Sequence, residues 1–276
     1  MEQRAISNPF GASIYHIDET TSTMEEARRL TAASPSTSAI SPLPSGSLHG
    51  TVIVADYQSG GRGRAAGRVW HAKSGESLLC TLILRYPTLQ AMPAALPLRL
   101  GVAVALGMET LWPQLAGRTR VKWPNDVLID GKKACGILCE GEGPWLYAGM
   151  GINLLQRDFP AELSGRSISV LQALEQSGGM YARPERYQFL IKLLEHIKGL
   201  LEDSSGASEK QRWLTQLESR LFRRGEEVRF LAGSAEAPQP VTGTLEGVSP
   251  SGELLIRPRG SDRTEAYITG ELDVYG

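Results

Sequence analysis

Cysteine is scarce in this chain, long apolar runs are missing, and there is no surplus of positive charge. The three cysteines, Cys80, Cys135 and Cys139, form neither an even set nor a CxxC pair. That excludes a disulfide framework or a zinc knuckle and leaves reduced thiols packed as small hydrophobes. No stretch approaches the ~18 apolar residues of a membrane span, and the opening MEQRAISNPF lacks the apolar core of a secretory signal. A cytoplasmic protein with no membrane partner is expected. The formal net charge of -1 argues against a protein that coats nucleic acid, which selects a basic face. A length of 276 residues allows a main domain and a small one.

The positive charge that is present is concentrated. GGRGRAAGRVW, residues 60–70, sets three arginines among four glycines, and no acidic residue lies between Asp56 and Glu76. Arg62, Arg64, Arg68 and Lys73 on a glycine-loosened backbone make an electropositive segment rich in N–H groups, suited to an anion. Spacing removes two readings of it. A P-loop needs Gly-Lys followed by Ser or Thr, whereas Gly131-Lys132 is followed by Lys133. A dinucleotide-binding turn needs a helix next and an acid some 20 residues on, and here an apolar strand follows with no acid near residue 82. Two readings stay open: a loop folded over a phosphate or carboxylate, and a solvated basic surface loop.

Around this segment the pattern predicts strands at 13–17, 51–58 and 77–86, and a helix entered at Ser22 through a capping box with Glu25. Residues 31–50, rich in Ser, Pro, Ala and Gly, read as a loop. An apolar helix is expected over 93–112. Short strands follow at 118–123, 126–130 and 132–140, with a turn at Asp130-Gly131, and at 145–154. Helical spacing returns over 184–203 and about 208–222, and beyond Arg224 short strands separated by Gly, Pro and Ser read as a small barrel.

Two further clusters could carry chemistry. VKWPNDVLIDGKKACGILCE, residues 121–140, crowds lysines, a tryptophan and an Asn-Asp pair around the turn, and Lys133 leads directly into the apolar AxGIL. A cation at the mouth of a buried strand can meet an anion entering a pocket, although a solvated edge is the plainer reading. GMGIN, with Gly149, Gly151 and Asn153, would let a ligand approach a strand closely, or would mark a bend.

Taken together, these landmarks resemble the biotin protein ligases, also called holocarboxylase synthetases. TST at 21–23, Gln58, GRGR at 61–64, GRVW at 67–70, KWPND at 122–126, KxxGIL at 133–138 and GxGIN at 149–153 occur in the family's order. The resemblance covers residues 14–200, and the strands after 224 resemble the family's C-terminal SH3-like domain. It implies an α+β fold: a mixed or antiparallel sheet packed with helices, of class II synthetase type, over 1–223, and an SH3-like barrel over 224–276.

The implied activity joins biotin to ATP, releases pyrophosphate, and passes biotin from biotinyl-5′-AMP to a lysine of a carboxyl carrier domain. Lys133, Arg62 and Asp126 take the catalytic roles in this reading. Ser22, Thr23, Gln58, Gly61, Arg62, Lys133 and Gly136 take the biotin. Arg64, Arg68, Trp70, Asn125 and Asn153 take the adenylate or ATP. Mg²⁺ would bridge the ATP phosphates with Asn125 or Asp126 nearby, and no residue is assigned as its ligand. The expected partner is the carrier protein of acetyl-CoA carboxylase or a related carboxylase, and a homodimer through sheet edges stays open.

Three departures from the family pattern stand out. Ala65-Ala66 makes the loop one residue longer than GRGRxGRxW, and Met24 replaces a common Asn. Only 20 residues precede Thr21, so a DNA-binding repressor role is not expected. The alternatives are a lipoate-type ligase of the same architecture and a biotin sensor without turnover.

Overall fold

The structure, a computed structural model, describes residues 1–33, 48–63, 70, 72–202, 210–234 and 237–273. Most of the Ser/Pro-rich loop expected over 31–50, together with Arg64, Ala65, Ala66 and Arg68, lies outside the described residues. Among the described residues, no helix is long and apolar enough to cross a membrane.

An eight-stranded mixed sheet organises the chain. Its strands are β1 (Glu2–Arg4), β2 (Ile14–Thr20), β3 (Val52–Gln58), β4 (Ser77–Arg85), β5 (Thr119–Lys122), β6 (Asp126–Ile129), β7 (Lys132–Glu142) and β8 (Trp145–Asn153), in the order β1-β2-β3-β4-β8-β7-β6-β5. Only β2 and β3 run parallel, which requires a crossover between them; helix α1 (Thr23–Ala32) lies in that connection. The apolar run SLLCTLILR makes β4 the central strand, buried along nearly its whole length because both faces are covered. The strand period of two divides its side chains. Leu82 and Leu84 join the main core beneath α2 (Leu96–Leu111) and α4 (Arg186–Glu202), while Ile83 meets Ile53, Tyr147, Met24 and Ala27 beneath α1.

The expected strands and the apolar helix are present, and the turn at Asp130-Gly131 has both φ values positive, at 50° and 77°. That matches a two-residue hairpin of type I′. The capping box expected at the start of α1 is not made. Ser22 does cap, accepting from the Met24 N–H at 3.2 Å, but Glu25 is taken by the Thr21 hydroxyl at 2.7 Å. The reciprocal box occurs instead at α3 (Val170–Ser177), a helix the sequence reading did not foresee, between Ser169 and Gln172. Helix α5 (Lys210–Glu218) ends earlier than expected. Residues 220–222 leave it to lie along β5, where Val121 donates to the Arg220 carbonyl and accepts from the Phe222 N–H. An Arg220–Glu109 ion pair at 2.7 Å holds that segment in place.

The C-terminal strands β9 (Glu227–Ala232), β10 (Gln239–Val248), β11 (Leu254–Pro258), β12 (Glu265–Tyr267) and β13 (Gly270–Asp273) form a five-stranded antiparallel sheet ordered β12-β11-β10-β9-β13. Among the described residues no ladder joins β12 to β13, so the expected barrel is an open sheet in its hydrogen bonding. It touches the large sheet directly. The Trp123 ring packs edge-on against Phe230, centroids 5.7 Å apart, and its indole N–H donates to the Gly252 carbonyl at 3.0 Å. Gly252 holds φ +97° with Ala95 so close that a Cβ would stand 2.7 Å from it, so only glycine suits that turn.

Candidate active site

A cavity of about 560 Å³ opens over β4, β8, β7 and β6, beside the start of α1. Ten of the residues that the resemblance assigns to catalysis or binding line it: Ser22, Thr23, Gln58, Arg62, Trp70, Asn125, Asp126, Lys133, Gly136 and Asn153. Gly61 does not; it stands behind Trp70, where its carbonyl accepts the Trp70 backbone N–H at 3.1 Å. Arg64 and Arg68 lie outside the described residues.

One wall is neutral and tightly hydrogen-bonded. The Gln58 side-chain oxygen accepts from both the Thr23 backbone N–H, at 2.7 Å, and the Thr23 hydroxyl, at 2.9 Å. Because a backbone N–H can only donate, these bonds fix the orientation of the Gln58 amide and leave its NH₂ as the group still able to bind. The Thr23 hydroxyl also meets that of Thr81 at 2.8 Å. Met24 closes this end, buried at the foot of α1 with its methyl 2.9 Å from where a Cβ on Gly149 would sit.

The opposite side is charged. The Lys133 ammonium pairs with Asp126 at 2.7 Å, and Arg62, its side chain 56% exposed, faces Glu25 at 3.7 Å. The hairpin of β6 and β7 explains the first pair: Asp126 lies opposite Gly136, and the bulge between Val127 and Leu128 brings Lys133 across from Leu128. The Trp70 ring stands between the two sides, 5.9 Å from the Lys133 ammonium. It lies so close to the sheet that a Cβ on Gly151 would sit 2.7 Å from it, and one on Gly136 3.0 Å. The glycines of GxGIN and KxxGIL thus make room for an indole ring as well as for a ligand.

Asn125 and Asn153 are largely committed to the protein. Asn125 donates to the Ile137 carbonyl at 2.6 Å, and Asn153 donates to the carbonyls of Lys133 and Ile168 while accepting from Gln156. Asn153 therefore braces the strand that carries Lys133. The segment between β8 and α3 supplies wall residues that the sequence did not reveal, namely Phe159, Leu163 and Arg166, and β13 adds Glu271. Irregular backbone with no periodicity gave no signal for them. The thiols behave as expected: Cys80 and Cys135 are buried and free, and burial pushes the Cys80 thiol up to about 12 and Cys135 well above its ordinary value.

The cavity thus combines an uncharged hydrogen-bonding wall with cations held by carboxylates, a combination that suits a ligase. Comparisons define that class. The model of the Biotin/lipoate A/B protein ligase family matches residues 34–152. The Biotin--[acetyl-CoA-carboxylase] ligase of Paracoccus denitrificans is 30% identical over 213 residues, 74% of this chain and 83% of the relative. The chain therefore belongs to the biotin/lipoate A/B protein ligase family and, within it, to the biotin protein ligases. The Bifunctional ligase/repressor BirA of Bacillus subtilis is 42% identical over 132 residues, 45% of this chain and 39% of the relative, so the chain aligns with about two fifths of that protein's length. The solved structure of the biotin protein ligase from Aquifex aeolicus in complex with biotin and ATP superposes with a TM-score of 0.73 at 29% identity, covering 94% of this chain and 97% of that one.

Proposed function

We propose that this chain is an ATP-dependent biotin protein ligase that forms biotinyl-5′-AMP and transfers biotin to a lysine of a carboxylase's biotin carboxyl carrier domain. The observation that carries the reading is the single cavity in which the Thr23–Gln58 wall stands across from the Lys133–Asp126 pair. The Aquifex aeolicus structure, with biotin and ATP bound, supports both substrates, and the relative named for acetyl-CoA-carboxylase supports the acceptor.

In the first step a biotin carboxylate oxygen attacks the α-phosphorus of ATP, the bond to the bridging oxygen breaks, and pyrophosphate leaves. Both reactants are anions, so their approach needs fixed positive charge between them. Lys133 supplies it by exchanging Asp126 for the reacting oxygens, and Arg62, exposed at the rim, turns inward from Glu25. In the second step the carrier lysine's amine attacks the acyl carbon, AMP leaves, and the proton lost from nitrogen passes to Asp126. Trp70 keeps water from the mixed anhydride, and Arg64 and Arg68 are assigned to the adenylate by the resemblance alone. Asp126, Glu162 and Glu271 line the cavity and would be the carboxylates nearest a Mg²⁺ ion, which would supply positive charge to offset that of the phosphates. Residues 1–223 hold this chemistry, and 224–276 form the SH3-like unit that braces Trp123.

Incubation with ATP, Mg²⁺ and either biotin or lipoate, followed by pyrophosphate release, tests the reading. Release with biotin is expected. No release with biotin overturns it, and release with lipoate alone transfers the chain to the lipoate-type ligases.

A further inference from the structure

The parallel pair of β2 and β3 brings together three side chains that the proposed reaction does not use. His16 and Asp18 stand two residues apart on one face of β2, and Asp56 lies beside them on β3, next to the register pair of Ile17 and Ala55. None of the three lines the cavity. The His16 side chain is only 7% exposed, and its Nε2 faces two carboxylates at once. One oxygen of Asp18 and one of Asp56 each stand 3.3 Å from that nitrogen, with no hydrogen bond to either. A histidine that merely fills space has no reason to meet both.

The spacing is that of ligands around a tetrahedral ion. Metal–ligand bonds of about 2.0–2.1 Å set neighbouring ligand atoms about 3.3–3.4 Å apart. Both nitrogen-to-oxygen separations fall there, and the three atoms all lie within 4.8 Å of one another. The groups behind them are held as well. The other ring nitrogen, Nδ1, meets the Tyr187 hydroxyl at 2.6 Å, and the second oxygen of Asp56 is taken by Arg186. An imidazole that binds a metal through Nε2 carries its proton on Nδ1, where the Tyr187 oxygen can accept it, and a ligating carboxylate is steadied by a donor on its free oxygen. Asp18, its side chain 96% exposed, completes the set from the solvent side and leaves a fourth position to water.

We propose that His16, Asp18 and Asp56 form a binding site for a divalent metal of the zinc class, separate from the cavity and from any Mg²⁺ that ATP carries there. One imidazole with two carboxylates suits Zn²⁺, which takes nitrogen and oxygen ligands in tetrahedral geometry, whereas Mg²⁺ demands an octahedral oxygen set and keeps its waters. The ion fastens β2 to β3 and, through Tyr187 and Arg186, to the first turn of α4. The backbone carbonyl of Asp56 also accepts the Gly75 N–H at 3.1 Å, so the ion sits where the chain rejoins the sheet after the glycine- and arginine-rich segment.

Zn²⁺ titrated into the metal-free full chain at neutral pH, in competition with a chromophoric chelator, tests the site, and Co²⁺ in its place reports the ligands. One ion per chain is expected, with a higher unfolding midpoint in Zn²⁺ because the ion binds the folded site. Co²⁺ should show the visible absorption of a tetrahedral nitrogen and oxygen set without a thiolate charge-transfer band. Asp18→Asn removes an exposed ligand and leaves the Asp56–Arg186 pair intact, so the fold is kept. Its affinity for Zn²⁺ should fall by about tenfold or more, and His16→Gln should bind no ion at the same concentrations. Failure of the wild type to bind one equivalent overturns the inference, as does wild-type affinity in either variant. A thiolate band from Co²⁺ overturns it too, since that places the ion on a cysteine. No step of biotin transfer enters this test, so its failure leaves the proposed ligase activity standing, and an inactive ligase leaves the metal site standing.

Discussion

The two sides of the cavity are built on opposite principles. On the neutral wall Thr23 and Thr81 are buried and Gln58 is half-buried, and their protons are already directed before a ligand arrives. On the charged side Lys133 is held by Asp126 and Arg62 by Glu25, and in the proposed reaction both change partners. The contrast follows from desolvation. Uncharged groups can be locked in place at small cost, whereas an unpaired ammonium beside a buried strand would be expensive. Under the proposed function, recognition is thus prearranged, whereas activation waits for the substrates to take the carboxylates' places.

The largest expected effect breaks the charged side. Lys133→Ala should slow adenylate formation by about a thousandfold, the scale of losing a charge-stabilising donor, while thermal unfolding changes little. Normal single-turnover adenylate yield would move the catalytic cation elsewhere. Next, Gln58→Ala strips the neutral wall of the acceptor that directs Thr23. KM for biotin should rise about ten- to a hundredfold, since a buried donor left unmatched costs about 1–3 kcal/mol, with KM for ATP unchanged. If both KM values rose together, the two sides would not be separate devices.

Smaller effects probe what lies between the walls. Gly151→Ala would put a methyl group 2.7 Å from the Trp70 ring. Displacing the ring should cost about 1–3 kcal/mol of overpacking, read as a lower unfolding midpoint. The smallest effect concerns Cys80, whose thiol is raised from 9.0 to about 12 by burial. An acid with a raised folded value binds its proton more tightly when folded, so its contribution is full below pH 9 and is lost as pH rises through 12. Stability in urea should therefore decline from pH 8 to pH 10, and less so in Cys80→Ala.

The neutral wall and the charged side also differed in how far the sequence disclosed them. Lys133, Asp126 and Arg62 stand in short motifs whose charge alone sets them apart from the strands around them. Thr23 and Gln58 were legible only through the order of landmarks along the chain. Thr81 was hidden, because a threonine in the middle of SLLCTLILR leaves the apolar pattern intact, and only the three-dimensional meeting with Thr23 reveals it. Strands and the Asp130-Gly131 turn could be read because periodicity and φ preference are local. The parallel β2–β3 pair, the bracing by Asn153 and the wall of Phe159, Leu163 and Arg166 depend on chain segments meeting across distance, which no local pattern encodes. Ser22 and Ser169 make the same point: both precede a residue able to complete a capping box, yet only Gln172 does so, because Thr21 claims Glu25.

Residues 220–222 carry a consequence for the molecule's dealings with copies of itself. The outer strand of a sheet is a template on which foreign backbone can be laid. At β5 that template is already taken on the chain's own account, since Val121 donates to Arg220 and accepts from Phe222. A second molecule cannot continue the eight-stranded sheet from β5 at Val121 unless this strap, pinned by Arg220 and Glu109, first comes away.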